Sequence, residues 1–231
     1  MPPVITWLVR HGQSRVNAGL PTEGHDDVPL TDLGHEQACA VARRVDRRPD
    51  MLIVSPFLRA RATCDPIQAR WPATCCETWP IQELTYLSPA RCRGTTSATR
   101  RPMVDAYWRR CDPHYVDGAD AESFSAFSNR LRDFHHRLIA LDCAYVIVVG
   151  HGQFFRAYMM CLTDGFTVTP QWMARYRTVE TGKPIANCEV IELSGETLGR
   201  AREAGVAASS AQNEIGGDQE RDEVKNPDLA P

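Results

Sequence analysis

Residues 5–14 read ITWLVRHGQS: five β-favouring residues, Ile5 to Val9, that stop at Arg10-His11-Gly12. A short apolar run of this kind suits a buried strand entering a turn, as in a parallel sheet covered on both faces. The pattern recurs at residues 145–154, YVIVVGHGQF, where Tyr145 to Val149 runs into Gly150-His151-Gly152. A third apolar run, MLIV at 51–54, ends at Ser55-Pro56.

Working outward from these runs, Pro29-Leu30-Thr31 opens a helix with Thr31 as its N-cap. Leu33, Ala38, Val41, Ala42 and Val45 are expected to share one face of it. Phe57 to Arg70 reads as a second helix that closes before Pro72. Glu122 to Leu141 is a long amphipathic helix, with Phe124, Phe127, Leu131, Phe134 and Leu138 at three- and four-residue spacing. An apolar helix follows His151 through Met160, and Cys188 to Leu193 is the last strand. Strands alternating with helices predict an α/β chain: a three-layer sandwich around a mostly parallel central sheet.

The stretch from about 71 to 118 is rich in Pro, Arg and Thr, and is expected to be an irregular or helical insertion over the site, with one short helix around Met103 to Arg110. The expected catalytic domain spans 1–200. Beyond it the composition shifts to Ala, Ser, Gly, Asp and Glu, which predicts a disordered tail over 201–231.

The 231-residue chain is long enough to bury a core without staples. Its net charge of −3 argues against a nucleic-acid partner. The basic cluster Arg43, Arg44, Arg47 and Arg48 is interrupted by Asp46 and Asp50. No segment approaches the ~20 apolar residues of a membrane helix, and MPPVITWLVRHG lacks a secretory leader. No membrane partner is therefore expected, and the expected location is cytoplasmic. Nine cysteines form neither a CxxC nor a Cys/His zinc pattern, which suits small apolar groups in a reducing compartment. Nothing in the sequence specifies an oligomeric state.

In an open parallel sheet the carboxyl ends of the strands line the ligand crevice. Two neighbouring strands ending in His11 and His151 would bring both imidazoles to one place. Arg10 directly precedes the first, and Arg59 follows the second apolar run in SPFLRA, residues 55–60. Guanidinium groups match phosphate oxygens bidentately and stay charged, so two histidines and two arginines suit a phosphate dianion.

Arg10-His11-Gly12-Gln13-Ser14 with Asn17, the SPFLRA run, Glu83 in Gln82-Glu83-Leu84-Thr85-Tyr86, and Gly150-His151-Gly152 resemble the histidine phosphatase superfamily, also called phosphoglycerate-mutase-like. These elements occur in the family's order and span about residues 5–193. Glu122-Ser123-Phe124 after Gly118 is similar to the family's helix start, and Asn187-Cys188 to its late strand entrance. The resemblance implies a phosphatase that hydrolyses phosphomonoesters through a phosphohistidine on His11. Arg10, Arg59 and His151 would hold the phosphoryl oxygens, helped by Asn17 and by backbone N–H groups near Gly12 and Gly152. Glu83 would be the general acid, with Glu77 and Glu122 as substitutes. No metal or other cofactor is called for, and the substrate would be a phosphorylated small molecule or a phosphoprotein. Its selection is expected from Trp79, Tyr86, Arg91, Arg93 and Trp108.

Two other functions compete. A cofactor-dependent sugar-phosphate mutase of this family would carry Glu-Arg-His-Tyr-Gly where this chain has Glu83-Leu84-Thr85-Tyr86-Leu87, a departure that favours hydrolysis. An inactive phospho-ligand-binding module would keep the pocket without turnover. Cys64 and Arg70 have the C-x5-R spacing of a cysteine phosphatase. The intervening Asp65-Pro66-Ile67-Gln68-Ala69, however, has no glycine and includes a proline without an N–H.

Overall fold

Strands β1 (Ile5–Arg10), β2 (Met51–Val54), β3 (Cys75–Thr78), β4 (Tyr145–Gly150) and β5 (Val190–Ser194) form one sheet in the order β3-β2-β4-β1-β5. The structure is a computed structural model that describes residues 2–21, 24, 26–166 and 168–200. The tail expected to be disordered from 201 lies outside the described residues. The first four strands are parallel, with Ile5 opposite Tyr145 and Met51 opposite both Val146 and Cys75; β5 alone runs antiparallel, on β1.

Alternation along the strands builds two apolar layers. Val9, Leu52, Val54, Ile147 and Val149 face α1 (Asp32–Arg44) and α2 (Leu58–Arg70), through Val41, Ala42, Ala60 and Ile67. Leu8, Ile53, Val146 and Val148 face the other way, toward α5 (Phe124–Ile139), α6 (Gly152–Asp164) and α7 (Pro170–Gly182). Every residue of β4 is buried, as expected of a central strand covered on both sides. The helix after β1 therefore goes to one face and the helix after β4 to the other, and a crevice opens between them at the strands' carboxyl ends.

Local chemistry sets the helix starts. Thr31 Oγ1 accepts from Gly34 N at 3.1 Å, and Ser123 Oγ from Ala126 N at 3.1 Å. Leu33 departs from its expected place: it is 48% exposed, and the buried face of α1 passes through Gly34, Ala38, Val41 and Ala42 instead.

The stretch expected to be irregular holds a strand and two helices, α3 (Pro89–Cys92) and α4 (Ser97–Arg110). β3, of sequence CCET, escapes a hydrophobicity reading because it is an edge strand with mostly exposed side chains. α4 starts well before Met103 because Thr96 and Thr99 form a reciprocal cap that carries it through Pro102. α7, which the sequence reading left unassigned, is capped by Thr169 and opened by Pro170. β5 begins at Val190, after Cys188 turns the chain at φ 56.

Candidate active site

Three adjacent strands deliver three side chains to one place. His11, Ser55 and His151 each follow directly on β1, β2 and β4, and the ladder continues through them: His11 N donates to Gly150 O at 2.9 Å and Ser55 N to Val149 O at 3.0 Å. The two imidazoles stand edge to face with centroids 5.1 Å apart. Ser55 Oγ lies 2.8 Å from His151 Nε2, and Phe57 packs against the same ring at 5.2 Å.

The tautomer of His11 follows from its neighbours. Arg59 Nε donates to His11 Nε2 at 3.2 Å, so that nitrogen carries a lone pair; the proton sits on Nδ1, which donates to Gly12 O at 2.7 Å. Burial, then the Arg59 charge and more weakly that of Arg10, hold the imidazole well below the ordinary histidine range, against an opposing pull from the Gly12 carbonyl. His11 is therefore neutral at pH 7, with Nε2 available.

The loop that carries it is locked by close packing. A Cβ on Gly12 would stand 2.5 Å from Gly34 O, and one on Gly34 would stand 2.1 Å from Gln13 O, so the loop and the start of α1 touch backbone to backbone. Thr63 completes the lock: its Oγ1 accepts from Gly12 N at 2.9 Å and donates to Arg59 O at 2.7 Å. The Gly12 N–H is thus hydrogen-bonded within the protein.

Arg59, in the first turn of α2, is 7% exposed, and burial brings its pKa to about 10, which leaves it a cation at neutral pH. Arg10, the last residue of β1, donates through Nη1 to Ile185 O. Gly152 makes room for it, since a Cβ there would stand 3.2 Å from Arg10 Cδ and Nε. Asn17 Oδ1 accepts from Ser14 N at 3.2 Å, Ser14 Oγ at 3.1 Å and Asn187 Nδ2 at 3.2 Å, so its own amide hydrogens are the groups left for a ligand.

Glu83 reaches the cleft from beyond β3. Its Oε1 accepts from Gln153 N in the first turn of α6 at 2.9 Å, and its Oε2 lies 3.8 Å from His151 Nδ1. Burial raises its pKa, against the Arg59 and Arg10 charges and the Gln153 amide. The expected substitutes lie elsewhere: Glu122 is paired with Arg130 at 2.6 Å, and Glu77 accepts from Trp79 Nε1 at 2.7 Å. Cys64 and Arg70 fall within one helix and form no loop.

The cleft has a volume of about 200 Å³. His11, Arg59 and Glu83 line one part, and Tyr86, Arg100 and Val104 another. The chain from Thr85 to Glu122 makes an excursion that closes on itself. Glu122 N donates to Thr85 O at 2.8 Å, Ser88 N to Asp117 Oδ2 at 3.1 Å, and Ser88 Oγ to Ala119 O at 3.0 Å. Of the expected selectivity residues, Tyr86 lines the cleft and Trp108 packs behind it at 5.3 Å. Arg91 is bound to Asp117, Arg93 is exposed, and Trp79 packs against Phe134.

Sequence reasoning missed Ser55, Thr63, Arg100, Gln153 and Asn187. Ser55 had a signal, for it ends a strand just as the two histidines do. Asn187 Nδ2 holds His11 O at 3.0 Å across 176 positions, and no local pattern announces that.

His11, Glu83 and His151 bring potential ligand atoms within 4.8 Å of one another, a donor set that zinc accepts. Against a resident dication stands the Arg59 guanidinium, already hydrogen-bonded to His11 Nε2, with the Arg10 charge nearby. The site suits an oxyanion better than a cation. Among the described residues no helix is long and apolar enough to cross a membrane.

A family model described as the histidine phosphatase superfamily (branch 1) matches residues 6–192. A glucosyl-3-phosphoglycerate phosphatase of Mycolicibacterium vanbaalenii is 48% identical over 52 residues, so that match spans only 22% of this chain and 23% of that protein. A 2,3-bisphosphoglycerate-dependent phosphoglycerate mutase of Brucella canis is 30% identical over 190 residues, 77% of this chain and 88% of that one. The structure of a mycobacterial glucosyl-3-phosphoglycerate phosphatase in complex with VO3 superposes with a TM-score of 0.64 at 24% identity, covering 82% of this chain and 92% of that one, a likeness of fold.

Proposed function

As a member of the histidine phosphatase superfamily (branch 1), this chain is a phosphomonoester hydrolase, and we propose that it works through a phosphohistidine formed on Nε2 of His11. The observation that carries this reading is the buried, neutral His11, whose unprotonated nitrogen meets an arginine in a cleft that a carboxyl group with a raised pKa also lines.

When a phosphomonoester enters, its oxygens take over the Arg59 hydrogen bond and free the Nε2 lone pair. Arg59, Arg10, His151 and the Asn17 amide supply positive charge and donors to the phosphoryl oxygens as charge shifts onto the leaving group. The Nε2–P bond forms, the P–O bond to the alcohol breaks, and protonated Glu83 passes its proton to the departing oxygen. Glu83, now a carboxylate, takes a proton from water as that water attacks phosphorus and the P–N bond breaks. Phosphate leaves, and His11 and Glu83 return to their starting states. Ser55 fixes the ring of His151, and Gln153 fixes the carboxyl of Glu83.

Beyond the phosphate, the wall formed by Tyr86, Leu87, Val104 and Arg100 suits a leaving group with an apolar face and an anionic or polar substituent. Thr95 O and Oγ1 hold Arg100 Nη1, each at 3.0 Å.

The test is hydrolysis of an aryl phosphate in the presence of a chelator by wild type and His11→Ala, with alkaline quenching to trap the base-stable phosphohistidine. Chelator-resistant turnover and a trapped adduct, both lost in the variant, are expected. Turnover that survives His11→Ala refutes the mechanism. The Brucella relative favours a second reading, in which the phosphohistidine is passed to another alcohol. Added 3-phosphoglycerate that isomerises faster than it is hydrolysed would establish it.

A further inference from the structure

The edge strand β3 carries two thiols, Cys75 and Cys76, and Cys64 of α2 and Cys143 just before β4 supply one more on each face of the sheet. Successive residues of β3 face opposite sides of the sheet, and the register sets Cys76 beside Leu52 and Cys75 beside Met51. Leu52 belongs to the layer under α1 and α2, as does Cys64; Met51 packs against the layer under α5 and α6, as does Cys143. Cys76 is thus on the face of Cys64, and Cys75 on the face of Cys143. On the α2 side the two thiols interact, each being the largest influence on the other's ionisation. Cys64 is 3% exposed and Cys76 is open to solvent. We propose that Cys64 and Cys76 form a reversible intramolecular disulfide, in which Cys76 meets the oxidant and Cys64 resolves it.

The chemistry follows from the asymmetry of the pair. Interaction with the Cys64 thiol lowers the pKa of Cys76, against partial burial and the Asp65 charge, which favours the thiolate at Cys76 over one at the buried Cys64. The same interaction and burial push Cys64 up and keep it a thiol. With hydrogen peroxide as oxidant, the Cys76 sulfur attacks a peroxide oxygen, the O–O bond breaks, and the departing hydroxide takes a proton to become water. The resulting sulfenic acid is attacked by the Cys64 sulfur as its proton leaves; the S–S bond forms, the S–O bond breaks, and a second water departs. Two thiols lose two electrons in total, and one peroxide becomes two waters.

The bridge joins segments that serve the cleft. α2 carries Arg59 and Thr63, five residues and one residue before Cys64, and β3 leads on to Glu83. Oxidation therefore ties the helix of the phosphate-facing arginine to the strand that feeds the acid.

The full-length protein, treated with a small excess of hydrogen peroxide and digested without reductant, is mapped by mass spectrometry. The peptides containing Cys64 and Cys76 are expected to be linked with the loss of two hydrogens and to separate with dithiothreitol. Cys75→Ser keeps the link, and Cys76→Ser, a change at an exposed position, abolishes it and leaves Cys64 reduced. Sulfinic acid at Cys76 with Cys64 untouched, a bridge from either residue to a different cysteine, or no reaction with peroxide each overturns the proposal.

Discussion

Replacing Thr63 by valine keeps the shape of the side chain and removes two hydrogen bonds, the 2.9 Å bond from Gly12 N and the 2.7 Å bond to Arg59 O. Thr63 is fully buried, so the freed Gly12 N–H finds no water to replace its partner. An orphaned buried donor costs about 1–3 kcal/mol. A chain of this size loses roughly 2–4 °C of Tm per kcal/mol, so thermal unfolding should drop by about 2–12 °C. The same change unlocks the loop that holds His11 Nε2 at Arg59, and misplacement of about 1 Å can cost ~100-fold in rate. We therefore expect kcat on an aryl phosphate to fall by about 10- to 100-fold with KM little changed, and Thr63→Ser, which keeps the hydroxyl, to restore most of both. A Thr63→Val protein that melts and turns over like wild type would refute the claim that this hydroxyl locks the catalytic loop.

In the proposed mechanism the free enzyme works with His11 neutral and Glu83 protonated. The His11 pKa is lowered and the Glu83 pKa raised, so kcat/KM should rise with pH through an acid limb below pH 6.5 and fall on a limb that begins above the ordinary carboxyl range. Glu83→Gln should remove the falling limb and lower kcat on alkyl phosphates by about 100- to 10,000-fold, with a smaller loss on nitrophenyl phosphate, whose leaving group needs no proton; equal losses on both would count against an acid role. Ser55→Ala, which removes the hydroxyl hydrogen-bonded to His151 Nε2, should cost about 1–3 kcal/mol of stability in chemical denaturation and lower kcat without a metal-dependent rescue. Arg100→Gln should raise KM for phosphomonoesters with a carboxylate or second phosphate on the leaving group by about 10-fold and leave aryl phosphate kinetics unchanged; the same effect on both substrates would place Arg100 in the general phosphate grip instead.

What the sequence disclosed follows the same physical division. β4 is buried throughout and β1 and β2 for the most part, so they are written mainly in apolar residues and the runs at 5–9, 51–54 and 145–149 reveal them. From parallel strands the meeting of His11 and His151 follows by geometry. β3 is an edge, carries exposed side chains and left no such trace. α4 contains a proline that reads as a stop, yet its Thr96–Thr99 cap sustains it. Thr63, Gln153 and Asn187 act through contacts with partners 51, 70 and 176 positions away; nothing local marks the first two, and Asn187 stands out only as part of a family-like strand entrance, not as a site residue.

The self-closing excursion between Thr85 and Glu122 has a consequence for how such an enzyme changes over time. In the proposed mechanism the groups that grip phosphorus come from the sheet and the first turn of α2, whereas Tyr86, Arg100 and Val104 belong to a segment whose two ends meet through the Glu122–Thr85 bond and the bonds of Ser88 to Asp117 and Ala119. Inherited or engineered replacements can enter at that junction as one cassette, lengthening, shortening or recolouring the leaving-group wall while His11, Arg59 and Glu83 stay in register. A lineage built this way can trade substrates without reinventing its chemistry.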